Sequence, residues 1–472
     1  MSARFWSILG GLLLGATVFG VTSYLGLTAA QSWTAAVTTL CATWWILEPI
    51  PSAATALVPL VVFQLAGVLK ERDVAAAYGD PVVLLFLGAF MISRAVEHWG
   101  AHRRIAHALV AHIGKASAPR VLLAVMLTTT LGSFWINNTS ITLMMLPVAL
   151  AIIEQDKSGK MAVPFLLGVA YSSSIGGVAT PIGTMPNGIF QTNYFELTGR
   201  TIPFHEWIVV AGTVSMLVMS AAWVVFSWGL RGVPAVQIEA ANKWTPAQKR
   251  SLLVFGAAAI AWMTREVPFG GWSAWLPQAF DGNEGDMCVA IAGALAMFLI
   301  PSGDKKAPRL LDWQIAEGIP WGVLILFGGG IAIATAFKSS GLSEIVGTAV
   351  TGIQNWPPLA IIAMLCLMVT FLSEFTSNTA TSNILMPILG AAANANGMDP
   401  ALLMFPATLA NSLAFMMPVG TPPNAIVYGT GGVRIIDMVR YGFVLNLIGV
   451  VIVTLVCWQL MPIVFGVEVV RR

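Results

Sequence analysis

Two apolar stretches of this chain, 121–153 and 357–393, are each broken near the centre by polar residues: "WINNTSIT" in one, "EFTSNTATSN" in the other. Unpaired polar groups are expensive in lipid or in a packed apolar core. A chain that carries such interruptions must pair them internally or use them, so neither stretch can run through as a plain lipid-facing helix. The surroundings identify the solvent. The 472 residues are 57% hydrophobic and only 10% charged, against about 25% charged in soluble proteins, and mean hydropathy is +0.79. Apolar runs near the roughly 20 residues of a spanning helix recur along the whole length. The alternation of a membrane β-barrel is absent. The expectation is an all-α polytopic membrane protein.

Hydropathy with Pro, Gly and charge punctuation gives eleven transmembrane helices, near 6–27, 31–48, 53–69, 80–96, 161–197, 207–230, 251–264, 287–301, 321–337, 401–430 and 438–463. The two interrupted stretches read as re-entrant hairpins. With the N-terminus in the cytoplasm, 17 Lys and Arg fall on the cytoplasmic side and 7 on the external side, as the positive-inside rule asks. Counting either hairpin as a single span inverts everything after it. The chain is therefore expected in the plasma (inner) membrane with the C-terminus outside. "MSARFWSILGGLLLGATVFG" reads as an uncleaved first helix, because the run continues without a small-residue cleavage site.

Several function classes drop out. A net charge of +2 gives no reason to expect a nucleic-acid partner. The four cysteines stand singly in apolar surroundings and read as small buried hydrophobes. The basic segment 101–116 is too short and charged to span. It reads as an interfacial helix whose histidines face solvent, not as a metal site. No Ser/His/Asp set, zinc motif or pair of carboxylates suggests a membrane enzyme.

An internal repeat organises the rest. "FWINNTSITLMMLP" (134–147) aligns with "EFTSNTATSNILMP" (374–387) at an offset of 240, setting Trp135 on Phe375, Asn138 on Asn378 and Thr139 on Thr379. "ATPIGTMPNGI" (179–189) aligns with "MMPVGTPPNAI" (416–426) at an offset of 237, setting Thr184 on Thr421 and Asn187 on Asn424. Each half carries a hairpin with an Asn-Thr tip, then a helix broken at Pro and Gly. The hairpins enter from opposite faces, so the halves are inverted repeats. Residues 1–30 form an extra N-terminal helix. The first repeat is 31–230, with its hairpin at 121–153 and broken helix at 161–197. Residues 231–250 are a cytoplasmic linker. The second repeat is 251–463, with its hairpin at 357–393 and broken helix at 401–430. Inverted repeats with discontinuous helices point to a secondary transporter with a site near the midplane.

These residues resemble the divalent anion:sodium symporter family, the bacterial di- and tricarboxylate and sulfate carriers, whose signature is Ser-Asn-Thr at each hairpin tip. The second motif is intact (Ser377, Asn378, Thr379); the first reads Asn137, Asn138, Thr139, with Asn in place of the opening Ser. The resemblance covers essentially the whole chain. It implies a homodimer, a scaffold domain, and a transport domain that carries the hairpins in an elevator-type motion.

Neither Lys nor Arg occurs in the motif segments, so helix N-termini and bound Na⁺ must balance an anion. Na⁺ takes oxygen ligands, which Asn, Ser, Thr and unwound carbonyls supply. One ion site would use Ser133, Asn137, Asn138 and the backbone at Gly183. The other would use Ser373, Thr376, Asn378 and the backbone at Gly420. The substrate would meet Asn138, Thr139, Ser377, Asn378 and Thr379 at the tips, and Thr184, Thr421 and Pro422 at the breaks. The bulkier Asn137 makes the two ion sites unequal. Glu374 reads first as a locally paired structural carboxylate, and second as a source of charge at an ion site. The expected function is Na⁺-coupled symport of a dicarboxylate such as succinate, fumarate or malate, with Na⁺ as coupling ion and no cofactor. The alternatives are a cation-independent exchanger, a sulfate or tricarboxylate carrier of the same fold, and a channel.

Overall fold

The computed structural model describes residues 3–101, 104, 117–156, 158–231, 233, 244–265, 271–275, 284–305, 307–349 and 357–467. Nearly all of the expected interfacial segment 101–116 lies outside them. Within the described residues every regular element is a helix, apart from one isolated bridge between Pro301 and Arg309.

Local sequence explains where the helices start. Thr28 and Thr245 open Ala29–Leu47 and Pro246–Met263 with capping boxes: each Thr side chain accepts from the backbone of a Gln three residues on, and that Gln side chain reaches back. This satisfies two of the amides that a helix start leaves orphaned. Pro246–Met263 thus takes in the last residues of the expected linker.

Among the described residues, five helical stretches are long and apolar enough to cross a membrane: Arg4–Tyr24, Glu71–His98 (two consecutive helices), Phe204–Leu230, Trp321–Ser340 and Ile435–Val464. Other expected spans are built from shorter pieces. The run 53–69 is two helices, Ser52–Thr55 and Val58–Leu65. The run 80–96 is preceded by the charged helix Glu71–Tyr78, which hydropathy misses because Glu71, Arg72 and Asp73 open it. The chain turns between them at Gly79 and Asp80, and the Asp80 side chain caps Pro81–His98 by accepting from Val82 N at 2.8 Å.

The interrupted stretches are helical hairpins with four-residue tips. The first runs Ala118–Ser133, then Asn138–Ile153; the second runs Pro358–Ser373, then Asn378–Ala395. The P-x-G-T motifs break the next helix of each half, giving Ala162–Gly177 with Met185–Thr198, and Ala401–Asn411 with Pro422–Gly429. Ala162–Gly177 packs on both arms of the first hairpin, and Ala401–Asn411 on both arms of the second. The pieces beyond the breaks cross over: Met185–Thr198 lies against Asn378–Ala395, and Pro422–Gly429 against Asn138–Ile153. This crossing brings the two tips and the two breaks together.

Candidate functional site

The two tips and two breaks enclose a cavity of about 550 Å³. Its lining includes Asn137, Asn138, Thr139 and Thr184 from one half, and Ser377, Asn378, Thr379, Gly420, Thr421 and Pro422 from the other. All eight residues expected at the substrate line it. Of the expected ion ligands, Asn137, Asn138, Asn378 and Gly420 line it, whereas Ser133, Gly183, Ser373 and Thr376 do not. Ser133 and Ser373 lie behind the wall, fully buried.

Behind the first tip, oxygens crowd. Ser133 Oγ is 2.6 Å from Ser173 O and 2.8 Å from Asn138 Oδ1. One hydroxyl proton can serve only one of these acceptors, so an oxygen cluster of this kind suits a hard cation. Two glycines permit the approach. A Cβ on Gly177 would sit 2.5 Å from Asn138 Oδ1, and one on Gly183 would press on Gly177 O and lie 3.1 Å from Ser133 O. Asn137 Oδ1 accepts from Thr139 N at 2.9 Å, which caps the second arm of the hairpin.

Behind the second tip the arrangement differs. Asn411 Nδ2 donates to Asn378 O at 2.6 Å and to Ser382 Oγ at 2.8 Å. Asn378 Oδ1 is buried with no hydrogen-bond partner among the described residues. Thr376 Oγ1 lies 2.6 Å from Thr381 Oγ1 and donates to Leu372 O at 2.9 Å. Ser377 makes no capping bond. Thr379 Oγ1 reaches Met185 Sδ at 3.3 Å, tying this tip to the other half's broken helix.

Glu374 has no counterpart in the first half, where Phe134 stands in register. It is fully buried. Its carboxylate accepts from the backbone amides of Phe415 (2.7 Å), Met416 and Met417 (both 2.9 Å) and from Asn446 Nδ2 (2.7 Å). These three amides belong to the unwound break at 412–421, where no helical carbonyl is available to them. Glu374 is therefore the clamp that holds the break against the hairpin.

The breaks themselves are held by matching asparagines. Asn187 Nδ2 donates to Gly177 O (3.0 Å) and Thr180 O (2.7 Å); Asn424 Nδ2 donates to Ala414 O (3.2 Å) and Met417 O (3.0 Å). Both pairs keep the 237-residue offset of the motifs.

Sequence reasoning missed the remaining wall of the cavity, formed by Trp45, Glu48, Ser52, Pro320, Val323 and Leu326 among others. These residues lie on ordinary apolar helices or their ends, outside the repeated motifs, and only tertiary packing brings them to the site. Among the described residues Glu48 is the only ionisable one in the lining, and no Lys or Arg side chain is part of it. Among the described non-glycine residues Glu48 alone has a left-handed backbone, with φ of 43°.

A multi-pass helical fold around an amide- and hydroxyl-lined cavity, bounded by paired broken helices, has the build of a membrane transporter rather than an enzyme. Residues 2–465 match the family described as the sodium:sulfate symporter transmembrane region, and the chain belongs to that family. It is 36% identical to the sodium-dependent dicarboxylate transporter SdcS of Staphylococcus saprophyticus, over 97% of this chain and 92% of that protein. It is 35% identical to SdcS of Staphylococcus aureus over the same shares. Among solved structures it is similar in fold to the YdaH transporter of Alcanivorax borkumensis (TM-score 0.61, 14% identity, 85% of this chain and 88% of that one). The efflux pump MtrF of Neisseria gonorrhoeae is similar too (TM-score 0.57, 13% identity, 84% of each chain).

Proposed function

We propose that this protein is a Na⁺-coupled symporter of dicarboxylates of the succinate, fumarate or malate kind. The observation that carries the reading is the cavity between the two tips, whose described lining offers an anion amides and hydroxyls, with Glu48 as its one ionisable group and no Lys or Arg. Without a fixed cation the empty site holds an anion weakly, and bound Na⁺ supplies the missing charge. That dependence is what obligatory coupling requires. The family, and relatives named for sodium-dependent dicarboxylate transport, support the same reading.

In this proposal Asn138, Thr139, Asn378 and Thr379 meet the carboxylates, joined by Ser377, Thr184, Thr421 and Pro422 at the wall. Ser133, Asn137, Asn138 and Gly183 surround one Na⁺; Ser373, Thr376, Asn378 and Gly420 surround the other. Residues 31–230 and 251–463 act as inverted repeats of an eleven-span protein, joined through 231–250 and preceded by 1–30. The N-terminus is cytoplasmic and the C-terminus external, in the plasma (inner) membrane. Two copies form a homodimer through their scaffolds, and each transport domain moves as an elevator.

Uptake of labelled succinate into proteoliposomes, with Na⁺ and with choline in its place, tests the coupling. Equal rates in the two salts overturn it in favour of a cation-independent exchanger. Competition by citrate or sulfate stronger than by fumarate or malate overturns the substrate class.

A further inference from the structure

The inverted register extends to two tryptophans that the motifs do not include. Trp45 and Trp262 stand at the same distance from the capping-box residues Thr28 and Thr245 that open their helices. Each indole donates to a backbone carbonyl of the next helix, Trp45 to Ser52 O at 3.1 Å and Trp262 to Asp286 O at 3.0 Å. Each is 1% exposed. The two posts are built alike.

What faces them is not alike. Trp262 lies in a near-parallel group of rings with Trp135, from the first hairpin tip, at 6.2 Å and 10°, and with Phe204 at 5.3 Å and 7°. Trp45 lines the cavity, and none of the ring pairs among the described residues includes it. Phe375, the register mate of Trp135 on the second tip, is 71% exposed. One tip aromatic is docked on its tryptophan; the other is exposed, and no ring pair among the described residues joins it to the matching tryptophan.

We propose that Trp262 and Trp45 are alternating docking posts for the tip aromatics Trp135 and Phe375. In the conformation seen here Trp135 sits on Trp262, while Phe375 makes no ring contact with Trp45. In the opposite conformation Trp135 leaves Trp262 and Phe375 closes onto Trp45. The apolar area uncovered at one tip is then covered at the other. Two states related in this way differ little in buried area, so neither traps the carrier. Aromatic faces suit the role because they pack in several offset arrangements without demanding a single hydrogen-bond register. The inference rests on the alternating-access reading above, but not on the identity of the coupling ion.

The test uses full-length protein in proteoliposomes with Cys288→Ser, since the other three cysteines are buried. Two double variants are compared, Trp135→Cys with Trp262→Cys and Phe375→Cys with Trp45→Cys, each against its single-cysteine parents. A short bifunctional thiol reagent is applied in buffer alone, with Na⁺, and with Na⁺ plus succinate. Each pair is expected to crosslink under a different condition, and each crosslink to stop that variant's own uptake until the reagent is reversed. Failure of the Phe375/Trp45 pair to crosslink under every condition, or equal crosslinking of both pairs throughout, overturns the proposal. If a tryptophan variant does not fold, a second measurement decides. Trp135→Ala should slow labelling of Phe375→Cys by a membrane-impermeant maleimide several-fold, because releasing the first tip shifts the population toward the docked second tip. Unchanged labelling overturns the exchange. Uptake by the Cys288→Ser parent in Na⁺ and in choline separately decides the coupling, so the two readings fail by different results.

Discussion

The Glu374 carboxylate takes the Met416 amide with both of its oxygens, each at 2.9 Å. Phe415 and Met417 donate to one oxygen each of the same carboxylate, and Asn446 Nδ2 donates to it as well. An unwound stretch inside a membrane protein has to satisfy such amides internally, and here one side chain serves three in a row. Glu374→Gln keeps the size but replaces one acceptor oxygen by a donor. At least one amide of 415–417 is then unpartnered, at a cost of about 1–3 kcal/mol. The variant should melt several degrees below the parent and transport slowly, and Glu374→Asp should also lose, because a shorter side chain cannot reach all three amides. Thermal unfolding of the purified proteins beside succinate uptake checks this. A Gln variant with the parent's melting temperature and rate rules out the clamp.

Asn378 and Thr379 test whether the second tip binds substrate or merely glues helices. Both line the cavity, and the Asn378 Oδ1 has no protein partner to lose among the described residues. Asn378→Ala and Thr379→Ala are therefore expected to abolish uptake while leaving expression, oligomeric state and melting temperature close to the parent's. Near-parental uptake in either variant would return that residue to the role of interhelical packing.

The hairpins, both breaks and the convergent tips were legible in the sequence because polar residues and Pro/Gly breaks stand out against apolar runs, and because they occur twice in register. The wall from Trp45, Pro320, Val323 and Leu326 was not, since an apolar residue facing a cavity looks like one facing lipid. Glu374 could be flagged as an ionisable residue within an apolar segment. Its partners could not be named, because they are backbone amides about 40 positions away along the chain. The helix Glu71–Tyr78 was missed for the opposite reason: its charged first turn looks like a loop by hydropathy.

Gly183 tests the oxygen cluster behind the first tip. A methyl there would collide with Gly177 O and crowd Ser133 O at 3.1 Å. Backbone atoms cannot swing aside as a flexible side chain can, so the break must shift, at a cost of about 1–3 kcal/mol. Gly183→Ala should weaken Na⁺-dependent thermal stabilisation in the absence of substrate. A Na⁺ titration of melting temperature that overlays the parent's curve would show that the backbone at Gly183 takes no part in holding the ion.

Asn137 is the departure from the tip motif, and the structure sharpens what it does. Its Oδ1 is engaged in capping, accepting from Thr139 N at 2.9 Å, whereas Ser377 at the matching position makes no cap bond. Serine is an accepted N-cap residue, and Asn378–Ala395 starts behind Ser377 even without a cap bond, so Asn137→Ser should leave the start of Asn138–Ile153 in place. What changes is bulk beside Ser133 and Asn138. If the larger side chain restricts the first ion site, the serine variant should reach half-maximal uptake at a several-fold lower Na⁺ concentration, with melting temperature unchanged. The measurement is a Na⁺ titration of initial uptake rate at saturating succinate for parent and variant. Identical titrations would mean that the asparagine is neutral and that any inequality of the two ion sites arises from the second tip, where Glu374 stands without a counterpart.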